Sequence, residues 1–163
     1  MALDTFKAGD TDYEAIILPF QSRWHDPVVA GQIGAVFRKK GPAAQATPKW
    51  IYAYFGSPIS AICAKIELEA IKQVPIDKAV KYCESGMLTE AKLRKYVGNS
   101  PSLFVFEIGQ CLLPNQPLEL DELTQRFGYQ PTPSFVALSR EGWRQLDRAL
   151  GFSRNKQVGK TTK

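Results

Sequence analysis

The chain has 163 residues, 44% of them hydrophobic and 23% charged, with a formal net charge of +5. That length holds one domain with a real core, the composition excludes wholesale disorder, and no apolar run approaches the ~18–20 residues that cross a bilayer. Arg154, Lys156, Lys160 and Lys163 follow Phe152 with no acid beyond it, so the rest of the chain is nearly neutral and the overall basicity says little about it.

Residues 1–13 lack periodicity and read as a loose lead-in; their acids and missing apolar segment exclude a secretory signal. Ala15–Leu18 is an apolar run ended by Pro19, as in a buried strand. A short helix is expected next, with Asp26 as its cap, Pro27 in its first turn and Gly31 as its stop. Ala35–Arg38 has strand character and runs into Lys39 and Lys40, and GPAAQATP is a loop on composition. Lys49–Tyr54 alternates, with Trp50, Tyr52 and Tyr54 on one face. A turn at Gly56-Ser57-Pro58 leads to a half-exposed strand over Ile59–Ile71, with Lys65, Glu67 and Glu69 facing outward.

Residues 76–97 are helical in tone, broken near Gly86, with a second helix opening at Thr89 and ending at Val97-Gly98. Leu103–Ile108 is the strongest strand signal of the second half. A short helix over Leu118–Phe127 precedes Gly128, and the Pro-rich stretch Tyr129–Phe135 is extended. The last helix spans Arg140–Leu150, with Trp143, Leu146 and Leu150 on one face. The organisation is a lead-in (1–13), one domain (14–152) and a flexible basic tail (153–163).

Three cysteines, Cys63, Cys83 and Cys111, form no CxxC pair, which argues against a disulfide framework and a zinc site. Small buried thiols fit them, and the chain reads as intracellular and cytoplasmic. No Walker loop, GxGxxG, HExxH or GxSxG is present. The single His25 fits an exposed or helix-entry position, since its neighbour Asp26 is expected to point elsewhere. Arg38, Lys39 and Lys40 form the compact basic cluster of the domain, suited to phosphate or to a solvated loop entrance. Trp50, Tyr52 and Tyr54 suit either a core-facing strand or a platform on which bases stack. The hydroxyls of Ser57 and Ser134 sit at turns. The tail cations Arg154, Lys156, Lys160 and Lys163 suit a nucleic-acid backbone or a solvated end.

Three segments, taken in order, resemble the ASCH family of the PUA-like superfamily. Ile17–Ser22, Val28–Ile33 and Phe37–Lys39 follow the spacing of "ILSI-x-P…I-x-x-G-x-K-x-x-E-x-R-x-R". Trp50–Ile71 resembles "IYIYASSPV-x-x-IVGEFEIE-x-I", and Pro131–Leu138 echoes "PPQSFRYL". The resemblance implies an α+β fold: a small curved PUA-like β-barrel of about five to six strands with flanking helices.

It also implies a cleft near the first helix that receives RNA, single-stranded nucleic acid or a modified base, with no cofactor and no membrane partner. On that reading Gln21, Ser22, Trp24, Arg38, Lys39, Lys40, Tyr52, Tyr54, Ser57 and Ser134 line or flank the site. Trp24 or Tyr52 would stack, Arg38 and Lys39 would hold phosphate, and Ser57 and Ser134 would meet base edges. Relatives that hydrolyse acylated cytidine carry Lys and Thr where this chain has Ile33 and Val36. Aliphatic side chains neither transfer protons nor attack carbonyls, so the expectation is a binding module rather than an enzyme. The alternatives are a ribonuclease or amidohydrolase with relocated residues, Glu67 or Glu107 among them, and a protein-interaction adaptor in transcription regulation.

Overall fold

A computed structural model describes residues 12–158, those from 153 onward by backbone pairing alone. Ala15–Phe20 (β1) is apolar throughout because both its faces are covered: Ile16 and Leu18 pack into one cluster, Ala15 and Ile17 into another. The remaining strands are Ala35–Arg38 (β2), Trp50–Phe55 (β3), Ala61–Val74 (β4), Leu103–Pro114 (β5), Leu118–Glu119 (β6), Val136–Leu138 (β7) and Phe152–Val158 (β8). They form one mixed sheet in the order β2-β5-β4-β3-β1-β7, with β6 added to β4 and β8 to β5. The fold is α+β. Its main path has six strands, as expected, and β6 and β8 are added at its flanks.

β4 bends the sheet. Residues 61–67 pair with β3 and residues 65–74 with β5, and the register shifts at Ile66/Leu68 and Leu68/Ala70. Such irregularities curve and twist a strand. The path nevertheless has two ends, at β2 and β7, so hydrogen bonds do not close it into a ring.

The inside of the curl holds Ile16, Leu18, Phe55, Ile66 and Phe106. The outer face of β1 and β3 is covered by Leu120–Phe127 (α4) and Arg140–Leu150 (α5). Helix α5 starts as its sequence dictates. Ser139 Oγ accepts the Gly142 N–H at 3.1 Å, and Leu146 and Leu150 are buried, each stabilising the helix by about 1.5–3 kcal/mol. A third cluster packs Glu90–Val97 (α3) through Leu93 and Val97 onto Ala35, Phe37 and Val105. Two smaller helices, His25–Val29 (α1) and Ile76–Ala79 (α2), precede it, and α3 is capped by Thr89 Oγ1.

Several local expectations change. Asp26 does not cap α1: a 3-10 turn at Ser22–Trp24 runs straight into the helix, leaving Asp26 in the first turn. Its carboxylate lies 2.8 Å from His25 Nδ1, contrary to the expected divergence. Gly31 follows the helix end at φ 71°, a conformation that favours glycine. Tyr13, assigned to the lead-in, is buried against Phe135 with ring centroids 6.5 Å apart. Lys65 does not face solvent with Glu67 and Glu69, because Asp147 and Trp143 of α5 and the Trp50 ring cover it. The stretch expected to begin a flexible tail forms β8, pairing Cys111↔Val158 and Pro114↔Phe152.

Candidate functional site

β1 and β2 lie at opposite parts of the sheet path and share no ladder. A cavity of about 550 Å3 opens between them, lined by Pro19 and Phe20 from one side and by residues 35–38 from the other. The cleft is thus the seam where the curled sheet fails to close.

Arg38 spans this seam. Its Nη2 donates to the Pro19 carbonyl at 2.7 Å and its Nη1 to the Phe37 carbonyl at 2.8 Å. The guanidinium carbon lies 4.9 Å from the centre of the Phe20 ring. Local sequence explains the partner. β7 pairs with β1 only at residues 15–17, while Phe20 turns its carbonyl toward Gly56 on the β3 side. The Pro19 carbonyl therefore faces the unpaired edge, and proline leaves no N–H stranded there. Burial lowers the Arg38 pKa, with Tyr96 acting in the opposite direction. Among the described residues no carboxylate pairs with Arg38.

Val28, Ile33 and Val36 form an aliphatic floor. Trp24 and Phe20 add aromatic surface, and α3 contributes Lys92, Lys95 and Tyr96 to the opposite wall. With Arg23 and Arg38 the lining holds four cations, and none of its residues is acidic. Lys39 reaches this wall from outside: its N–H donates to Tyr96 Oη at 3.3 Å and its ammonium lies 5.2 Å from that ring's centre. Gly86 permits the approach of the preceding loop, since a Cβ there would stand 2.7 Å from Phe37 Cε2 and 3.1 Å from the Ala35 carbonyl.

A second recess of about 680 Å3 adjoins the cleft and shares Pro19, Phe20, Gln21, Arg23 and Pro133 with it. Its own lining is polar, with Ser22, Ser57 and Thr132.

Gln21, Trp24 and Arg38 therefore meet at the cleft, and Ser22 and Ser57 at the recess. Lys39 and Lys40 are exposed and outside both linings. Ser134 is outside them too; its carbonyl accepts the Thr132 hydroxyl at 2.7 Å. Tyr52 and Tyr54 are corrected. Both are buried on the outer face of β3 beneath α4 and α5 and offer no ring to a base. Arg154 and Lys156 belong to β8, which joins β5 at residues 111–114, whereas β2 joins it at residues 104–107. From Phe104 to Leu112 is roughly 25 Å along the strand, so these positions are remote from Arg38. Lys160 and Lys163 lie outside the described residues.

Glu67 and Glu107 do not reach the cleft. Glu67 crowds Gly109 on β5, and Glu107 pairs with Lys72 at 2.8 Å. Sequence reasoning missed Lys92, Lys95 and Tyr96. The available signal was the helical spacing that puts Leu93 and Val97 on the buried face and Lys92, Lys95 and Tyr96 off it.

A second polar cluster lies under α5. The Lys65 ammonium is 2.9 and 3.1 Å from the Asp147 carboxylate oxygens. The Tyr52 hydroxyl donates to Asp147 Oδ1 at 2.5 Å, with the Trp143 carbonyl 3.2 Å away. Trp50, Tyr52, Trp143 and Phe152 surround the ammonium at 4.7–5.6 Å. Burial pushes the Tyr52 pKa far up, and the Asp147 charge adds to this. The cluster joins helix to sheet and opens onto neither cavity.

No protein-family model and no curated protein matches the chain. Solved structures do. The ASCH protein of Zymomonas mobilis superposes with a TM-score of 0.73 at 23% identity, covering 87% of this chain and 98% of that one. A variant of it gives 0.74 at 22% identity, with 88% and 100% covered. The fold is ASCH-like. The N-terminal domain of Staphylothermus marinus McrB superposes with a TM-score of 0.58 at 10% identity, covering 85% of this chain and 96% of that one. In this ASCH-like chain no helix among the described residues is long and apolar enough to cross a membrane.

Proposed function

We propose that the protein is a nucleic-acid-binding module whose cleft takes a base or modified base of single-stranded nucleic acid, RNA above all. The observation that carries this reading is Arg38, a half-buried cation with no carboxylate partner among the described residues, in a cleft of four cations and no acid. A charge drawn partly out of water favours an opposite charge beside it. A phosphate entering the cleft supplies that charge, while Trp24 and Phe20 offer surface to a base. The ASCH-like fold supports the same reading.

The relocated-residue hydrolase draws no support from the cleft, where Ile33 and Val36 occupy the floor and Glu67 and Glu107 lie elsewhere. Nor does the adaptor find a patch: the large exposed hydrophobics among the described residues are Met87 and Tyr96. Three buried, free cysteines fit a reducing cytoplasmic setting.

Fluorescence anisotropy with short RNA and DNA oligonucleotides, with and without modified bases, tests the proposal. Binding at low salt that weakens with added salt, by about 0.7 in log–log slope per phosphate contacted, is the expected result. Failure of every oligonucleotide to bind at low salt ends it.

A further inference from the structure

The cleft and the recess are two cavities with one shared wall, and their chemistries differ. The cleft has an aliphatic floor, aromatic surface and most of the cations. The recess has three hydroxyls, from Ser22, Ser57 and Thr132, and the single cation Arg23 that it shares with the cleft. Each volume falls in the ~300–1,000 Å3 range of sites that hold a small ligand.

The wall between them has its own character. Arg23 is exposed, forms no ion pair among the described residues, and has its guanidinium carbon 5.1 Å from the Trp24 ring centre. Gln21, also exposed, adds an amide to the same ridge. A cation and an amide on a ridge between two cavities suit an anionic linker that joins two ligand units.

We infer that the groove is read by two consecutive nucleotides, one base in the cleft and its neighbour in the recess, with the linking phosphate crossing the Gln21–Arg23 ridge. This rests on the nucleic-acid reading above and sharpens it: the ligand is a strand at least two units long, not a free base or nucleoside. The recess nucleotide meets the Ser22 and Ser57 hydroxyls, which exchange hydrogen bonds with sugar and base edges, and the Thr132 oxygen, which can accept while its proton goes to the Ser134 carbonyl. The cleft nucleotide meets the aromatic and aliphatic surface beside Arg38.

The test compares a 5′-phosphorylated mononucleotide, a dinucleotide and a decamer of the same base by anisotropy or calorimetry at low salt. The proteins are the wild type and two variants that fill the recess, Thr132→Trp and Ser57→Trp. Both positions are exposed, and thermal melting confirms that each variant is folded. The dinucleotide is expected to bind on the order of tenfold more tightly than the mononucleotide, the increment of about one stacked or well-held base. Filling the recess should cancel that gain, bringing the dinucleotide down to the mononucleotide's affinity, while Arg23→Gln reduces dinucleotide affinity more than mononucleotide affinity. If mononucleotide and dinucleotide bind equally and the tryptophan variants change nothing, the two-unit inference is overturned and the cleft reading stands. If no decamer binds, both fall together.

Discussion

The guanidinium of Arg38 donates to the carbonyl oxygen of Pro19 at 2.7 Å, joining two strands that share no backbone hydrogen bond. One side chain thus pins the lips of the seam and places a positive charge inside it. Arg38→Ala is expected to lower stability by about 1.5–3 kcal/mol, the range for hydrogen bonds to charged groups, and to abolish oligonucleotide binding. Arg38→Lys keeps the charge but cannot reach two carbonyls as a planar fork does, so partial binding with most of the stability loss is expected. Urea denaturation and anisotropy on the same preparations separate the two effects.

Lys92 and Lys95 should behave differently. Both are exposed on α3 and neither forms an ion pair among the described residues. The double change Lys92→Ala/Lys95→Ala is expected to leave the melting temperature unchanged, weaken oligonucleotide binding severalfold and flatten its salt dependence. Unaltered affinity and salt slope would remove α3 from the interface.

The aromatic residues give a contrasting pair. Trp24→Ala should weaken binding while the fold tolerates it. Tyr52→Phe should leave binding intact and cost about 1–3 kcal/mol, because the half-buried Asp147 carboxylate loses a hydroxyl donor. Binding loss in Tyr52→Phe, with stability retained, would contradict the placement of Tyr52 in the core.

Asp147→Asn should be more damaging. It leaves the Lys65 ammonium in its aromatic box without a countercharge, at a cost of about 2–4 kcal/mol, toward the lower part of the fully buried range because Asp147 is partly exposed. Lys65→Met in the same chain is expected to recover part of that loss in a double-mutant cycle.

Alkaline solution should destabilise the protein in a defined window. Burial pushes the Cys63 thiol from 9.0 up to about 11 and the Cys111 thiol up to about 12. Between those limits the unfolded chain has released thiol protons that the folded chain retains. The unfolded state therefore binds fewer protons and stability falls as pH rises. This contribution is whole below pH 9 and lost through about 11 to 12. Denaturation at pH 8 and pH 10.5 checks the fall, and Cys63→Ala/Cys111→Ala should make it shallower.

The elements with strong periodicity were legible. Arg140–Leu150 carries its cap at Ser139 and its buried stripe at Leu146 and Leu150, and local rules suffice for it. Of the cluster Arg38, Lys39 and Lys40, Arg38 alone lines the cleft. The stripe Trp50, Tyr52, Tyr54 was ambiguous because alternation reports that a strand has two faces, not which of them a helix will cover. Lys65 misled for a related reason: its charge suggested solvent, whereas the partner that makes burial tolerable, Asp147, lies 82 residues away. For Lys92 and Lys95 spacing signals only an exposed face of α3; tertiary packing brings that face to the edge of β2.

β5 pairs with β4 along one edge and with two strands along the other. β2 and β8 lie end to end along the same side of that long strand, the first at residues 104–107 and the second at residues 111–114. β8 thus serves as a shield: a chain ended at Gly151 would bare backbone donors and acceptors of Cys111–Pro114 to any copy beside it. Strand-to-strand self-association, rather than loss of ligand, is the failure to expect from such a truncation.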